Sequence, residues 1–194
     1  MSGGARVRRY VCIDFEMSDL SAHMRRTVHG ISSEIIQIGA VMLDERYNLL
    51  GSFDLFVHPQ YSQITPIIQR LTGITAADIA DAKTFITAME QYLAWRERCA
   101  GGPGAEVLTF SWSRSDYTQL SKELAVKAAG RADLRCALDN FVDLQKTFGA
   151  LLGAGKAVSL DAAAQFSHVT FTGKHHSAVA DAYNTACILH KICC

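Results

Sequence analysis

Val11-Cys12-Ile13-Asp14-Phe15-Glu16 sets two carboxylates two residues apart inside an otherwise apolar run. Residues i and i+2 of a strand share a face, so Asp14 and Glu16 project together while Ile13 and Phe15 turn the other way. Such a pair repels itself unless a cation sits between the groups, and hard carboxylate oxygens suit magnesium or manganese. Taken alone, the pair fits a solvated strand edge as well as a metal site. A metal site would need more acids, and a histidine, from elsewhere in the chain.

The order of elements shows where those could come from. Arg6 to Glu16 reads as the first strand, and the polar stretch Ser18 to Ser33 as a loop with room for a helical turn. Glu34 to Leu43 and Leu49 to Val57 read as two more strands around a turn at Asp44 to Asn48, which predicts an antiparallel meander. Thr65-Pro66 opens a short helix that Gly73 stops. Thr75 to Asp78 has a capping-box pattern for a second. Thr84 to Arg98 carries a buried stripe of Phe85, Met89, Tyr92 and Leu93. Cys99 to Ala105 is a loop, Glu106 to Phe110 a fourth strand, and Ser115-Asp116 leads into a helix through Leu120, Leu124 and Val126. Phe141 to Leu144 reads as a fifth strand. Helices follow at Gln145 to Leu152, Ser159 to Phe166, and from near Ser177 to about Ile192. The expected fold is therefore α/β, with a mixed sheet of about five strands that begins with a three-strand meander and is flanked by helices.

The chain has 194 residues, a length for a single domain spanning 1–194, with a core of about 10–190. Nineteen basic residues against nineteen acidic ones leave none of the basic excess of a protein that coats nucleic acid. That balance does not exclude a nucleic-acid enzyme, because acids that hold cations reverse the local field. None of the six cysteines lies in a Cys-x-x-Cys pair, which argues against structural zinc. Without a signal-peptide pattern the thiols are expected free and the setting cytoplasmic. No apolar stretch reaches the roughly 20 residues a bilayer crossing needs, so no membrane is expected as a partner.

Three further groups complete a pattern. Asp116 follows the fourth strand at the mouth of a helix, Asp181 lies in the last helix, and His176 stands five residues before it. Singly, Asp116 reads as a helix cap and Asp181 as a surface residue. In order, Asp14-Phe15-Glu16, then Asp116, then His176-Ser-Ala-Val-Ala-Asp181 resemble the DEDDh branch of the 3′–5′ exonuclease superfamily (DnaQ-like). Within that branch the chain is similar to the Eri-type exoribonucleases and the KapD-like proteins. Cys12 to Glu16, Glu34 to Val41, Leu71 to Thr75 and Gly173 to Ser177 carry that likeness. The resemblance runs from about Tyr10 to Leu189.

The resemblance implies a ribonuclease-H-like fold and two divalent cations, Mg2+ or Mn2+. Asp14, Glu16 and Asp181 would hold one ion directly, Asp14 would bridge to the second, and Asp116 would support the second through water. His176 would be the general base, as suits a side chain that ordinarily titrates near about 6.5. The substrate would be the single-stranded or overhanging 3′ end of RNA, cut to nucleoside 5′-monophosphates, with DNA as the alternative. Phe15 and Met17 would lie at the terminal nucleotide. Trp112 either stacks on a base or belongs to the core. Arg114, with Arg25 and Arg26, is either a phosphate contact or solvated charge, and His175 a loop residue or phosphate contact. The run Ser111-Trp112-Ser113-Arg114-Ser115 departs from the Gly- or Asp-bearing forms expected before Asp116. The competing readings are a DNA exonuclease of the same branch, an endonuclease or transposase of related fold, and a binding module that keeps the fold without the chemistry.

Overall fold

The computed structural model describes residues 7–153 and 155–194. Arg6, the expected start of the first strand, lies outside them. Strands β1 (Arg8–Asp19), β2 (Ser33–Leu43) and β3 (Leu49–His58) form the antiparallel meander. Asp44 closes its second turn by accepting the amides of Arg46 and Asn48, each at 2.8 Å. Helix α1 (Ala22–Thr27), started by Ser21, lies in the segment expected as a loop with room for a helical turn. After β3 come α2 (Pro66–Thr72) and α3 (Ala76–Ala80), with the caps at Thr65, Gly73 and Thr75 that their sequence signals call for.

Strand β4 (Lys83–Thr84) then runs parallel to the end of β3. It raises the strand number from about five to six; two residues are too few to leave a pattern in a sequence. Helix α4 (Phe85–Ala100) leads to β5 (Glu106–Ser111), parallel to β1, and α5 (Arg114–Lys127) follows. A 3-10 turn (Ala132–Leu138), β6 (Phe141–Asp143), α6 (Leu144–Leu151), α7 (Leu160–Phe166) and α8 (Ala178–Cys193) complete the chain. The strand order is β4-β3-β2-β1-β5-β6. No helix among the described residues is long and apolar enough to cross a membrane.

Both faces of the sheet are covered, which is why β2 reads as an almost unbroken apolar run and is buried from Glu34 to Leu43. The alternation of β1 sorts its side chains. Val11, Ile13 and Phe15 pack with Phe85, Met89 and Tyr92 of α4 and with Leu120 and Leu124 of α5. Cys12 faces the other layer, with Phe148, Ala163, Ala186, Ile188 and Leu189. Asp14 and Glu16 share that second side. Ile13, Leu120 and Leu124 are fully buried. Each contributes roughly 1.5–3 kcal/mol, against about 0–1 for an exposed ion pair. The acid-bearing strand is thus fixed from behind by packing rather than by charge.

A buried ionic cluster holds the β3–α2 connection. Lys127 Nζ lies 2.6 Å from Glu34 Oε1 and also pairs with Glu123, one helical turn away. Glu34 accepts the amides of Gln60 and Tyr61 at 2.8 Å and that of Ser62. Burial pushes the Glu34 carboxyl up, but the Lys127 ammonium and these amides outweigh it and leave it below its ordinary range.

Candidate active site

Parallel pairing of β1 with β5 ends at Cys12 and Phe110. Beyond that point no strand among the described residues covers this edge of β1, and the Phe15 amide needs another acceptor. Asp116 Oδ1 takes it at 3.3 Å. Ser113 caps α5, and Asp116 sits buried in its first turn, where a carboxylate also complements the helix dipole. On the other edge, the β1–β2 register slips between Glu16 and Met17, leaving Ile36 as the extra residue. Such bulges turn the chain and re-aim the side chains that follow.

Helix α8 is seated on the same strands. The Ala178 amide donates to Gln37 Oε1 at 3.2 Å, and Gln37 Nε2 donates to Asp54 at 2.7 Å. That bond satisfies one of the amides a helix start leaves open, which Ser177 does not cap. Gly39 permits the approach: a Cβ there would lie 2.1 Å from the Ala178 carbonyl carbon and the Val179 nitrogen. Asp14 is the ladder partner of Gly39, so Asp181, in the first turn of α8, descends beside Asp14 and Glu16.

Glu16, His176 and Asp181 each present one potential ligand atom, all within 4.8 Å of one another. With Asp14, Asp116, Met17 and Leu160 they line a cleft of about 320 Å³. Three other clefts are larger, about 330, 380 and 440 Å³, but none of them joins a histidine to its acids, so size does not locate the site. The four carboxyls resist ionisation together. Asp14 is pushed well above its ordinary value by burial, then by Asp116, Asp181 and Glu16. Glu16 is pushed up to about 7 by burial, then by Asp181 and Asp116, with Lys174 opposing. Burial pushes Asp116 to about 7 against the Phe15 amide. Burial raises Asp181, which His176 and His175 pull back. Crowded, desolvated carboxylates of this kind are hard-oxygen donors short of positive charge, and the set fits divalent magnesium or manganese.

The expected substrate residues are placed less uniformly. Met17 lines the cleft and leans on the core. The Phe15 ring is buried and its amide is taken by Asp116. Trp112 is a core residue: it is 7% exposed, lies against Phe148, and donates its indole N–H to the Val158 carbonyl at 3.0 Å. Trp112 also borders the cleft. Arg114 is exposed and stands over the Tyr117 ring at 4.6 Å. Arg25 bonds the Leu20 carbonyl at 2.9 Å, and Arg26 is exposed. His175 pairs with Asp161 at 3.0 Å. Sequence reasoning missed Gln37, Lys174 and the Glu34–Lys127–Glu123 cluster. Glu34 and Gln37 did leave a signal, as polar residues inside a run that is otherwise apolar.

Comparison with known proteins gives a consistent picture. A family model for exonucleases (RNase T) matches residues 11–189. A Danio rerio protein, ERI1 exoribonuclease 2, is 26% identical over 94% of this chain, and the chain spans about a third of it, 34%. The nuclease domain of 3′hExo, a DEDDh family member solved with rAMP, superposes with a TM-score of 0.77 at 19% identity, covering 98% of this chain and 94% of that one. S. pombe Pop2p, solved with Mg2+ and Mn2+, gives a TM-score of 0.66 at 19% identity over 94% of this chain and 82% of its own. At these identities the structures establish the fold, the ribonuclease-H-like arrangement of a mixed sheet between helices.

Proposed function

The chain belongs to the exonuclease (RNase T) family, and from that premise we propose that it is a metal-dependent 3′–5′ exoribonuclease. It would release nucleoside 5′-monophosphates from single-stranded or overhanging RNA 3′ ends. The observation that carries this reading is the meeting of Glu16, His176 and Asp181 within 4.8 Å, beside Asp14 and Asp116. The choice of RNA is supported by the name of the Danio rerio relative and by the ribonucleotide in the 3′hExo structure. We read the family match as one exonuclease domain.

Asp14, Glu16, Asp116 and Asp181 would hold two divalent cations, as the metals of Pop2p support. Bound there, the cations supply the positive charge that stabilises the developing oxyanions and lowers the pKa of water. The protein's own groups do the rest. His176 accepts the proton of the attacking water, a contribution of about 10²–10⁴-fold for a well-placed base. Asp116, fastened to the Phe15 amide, keeps the bare edge of β1 from moving. Met17 and the Phe15 carbonyl face the terminal nucleotide.

The test uses matched RNA and DNA oligonucleotides with free 3′ ends, and a circular RNA, each with Mg2+ or Mn2+. Stepwise shortening of the linear RNA is expected. Much faster loss of the DNA would overturn the RNA assignment, and a cut circle would point to an endonuclease. No turnover on any of them would leave a binding module.

A further inference from the structure

His176 has a left-handed backbone, φ +59°. A residue with a side chain holds that conformation only where its surroundings dictate it. Gly173, three residues earlier, is at φ +89°, and a Cβ there would lie 2.8 Å from the Ala180 side chain, so the loop is pressed onto α8. Between these points the side chains reach different elements. Lys174 Nζ donates to the Thr72 carbonyl at 3.0 Å, at the end of α2. His175 binds Asp161 on α7 and stacks on Phe171 with centroids 3.9 Å apart. Just past His176, Ala178 is bonded to Gln37 of β2.

The Lys174 contact is built on both sides. Thr72 is buried, and its hydroxyl both donates to the Ile68 carbonyl and accepts the Ile74 amide, which fixes the acceptor. Gly73 makes room: a Cβ there would lie 2.0 Å from Lys174 Nζ. The ammonium is also near enough to Glu16 to oppose the rise of its carboxyl.

We propose that Lys174 is a positioning residue for His176: by tying the 173–177 loop to Thr72, it holds the imidazole over Glu16 and Asp181. The role rests on the exonuclease reading wherever a rate is measured. It differs from a phosphate contact, which would act on substrate binding, and from a purely stabilising contact, which would act on the fold.

The experiment compares wild type, Lys174→Met, His176→Ala and the double variant on a 3′-ended RNA with Mn2+. It adds amide hydrogen exchange and thermal melting of the metal-free proteins. Lys174→Met should lower kcat about tenfold with KM changed less than about twofold, the split expected when reactive geometry rather than substrate binding is lost. In the His176→Ala background it should have no further effect, because two residues that act through one group are not additive. Exchange should quicken in the 173–177 loop and stay unchanged in β1 and β2. A raised KM with unchanged kcat, an equal loss in both backgrounds, or an unchanged loop would each overturn the assignment. Should the wild type degrade no RNA, the exonuclease reading fails, and the exchange result alone decides whether Lys174 holds the loop.

Discussion

Gly39 stands opposite Asp14 in the β1–β2 ladder, and the backbone of Ala178 rests where a side chain on Gly39 would be. That relationship sets the height of α8 over the acid strand, and with it the approach of Asp181 to Asp14.

Gly39→Ala is therefore expected to act at the site without touching a functional group. The added methyl would overlap backbone 2.1 Å away, which cannot step aside as a flexible side chain can. Overpacking of this kind costs about 1–3 kcal/mol. Thermal melting should show the loss, and isothermal titration with Mn2+ should show weaker binding. A variant with wild-type melting and metal affinity would mean that α8 is not seated by this contact.

Asp14→Asn and His176→Ala should separate two roles. Removing the Asp14 charge should abolish metal binding together with turnover. His176→Ala should leave Mn2+ affinity within about threefold while kcat falls about 10²–10⁴-fold, as for loss of a general base. Equal residual activity in both variants and the wild type would sink the site assignment.

The acid cluster also predicts an inverted pH dependence of stability in the absence of metal. Glu16 and Asp116 are raised from ordinary values of 4.5 and 3.8 to about 7 in the fold. Between those limits the native state binds more protons than the unfolded chain, so this contribution is fully present below about pH 4 and is lost as pH rises through 7. The slope is at most about 1.4 kcal/mol per pH unit for each group. The metal-free Tm of wild type should drop relative to Asp116→Asn between pH 5 and pH 8, and saturating Mn2+ should restore it at pH 8. A parallel pair of curves would refute the charge crowding.

Lys127→Met should destabilise strongly. It would leave Glu34 and Glu123 buried without their shared cation, a change that typically costs about 3–5 kcal/mol. Chemical denaturation measures it directly. Replacing Glu123 as well, with Gln, should recover part of the loss, since one of the two unpaired charges is then gone.

Much of this was legible in the chain itself. The period-2 alternation of Val11 to Glu16 told which side chains share a face, and caps such as Thr65, Thr75 and Ser159 marked helix starts that side-chain hydrogen bonds confirm. What was not legible involves contacts between distant segments. β1 continues to Asp19 because β2 pairs with it that far, not because its own residues demand a strand. The seat of Trp112 depends on Phe148 and on Val158, the latter 46 residues further along the chain. Lys174 gave no sign of Thr72, which lies 102 residues away.

The sequence by itself determined the alternation, the helix stops and the order in which Asp14, Glu16, Asp116, His176 and Asp181 occur, because these follow from local backbone geometry and residue chemistry. Only the tertiary structure decided that they meet. The early end of the β1–β5 pairing freed the Phe15 amide for Asp116, Gly39 let α8 descend, and the loop before α8 took up the left-handed turn at His176, which stands beside Glu16 and Asp181. Each depends on how closely two backbones can approach, a distance set by packing between segments far apart in the chain.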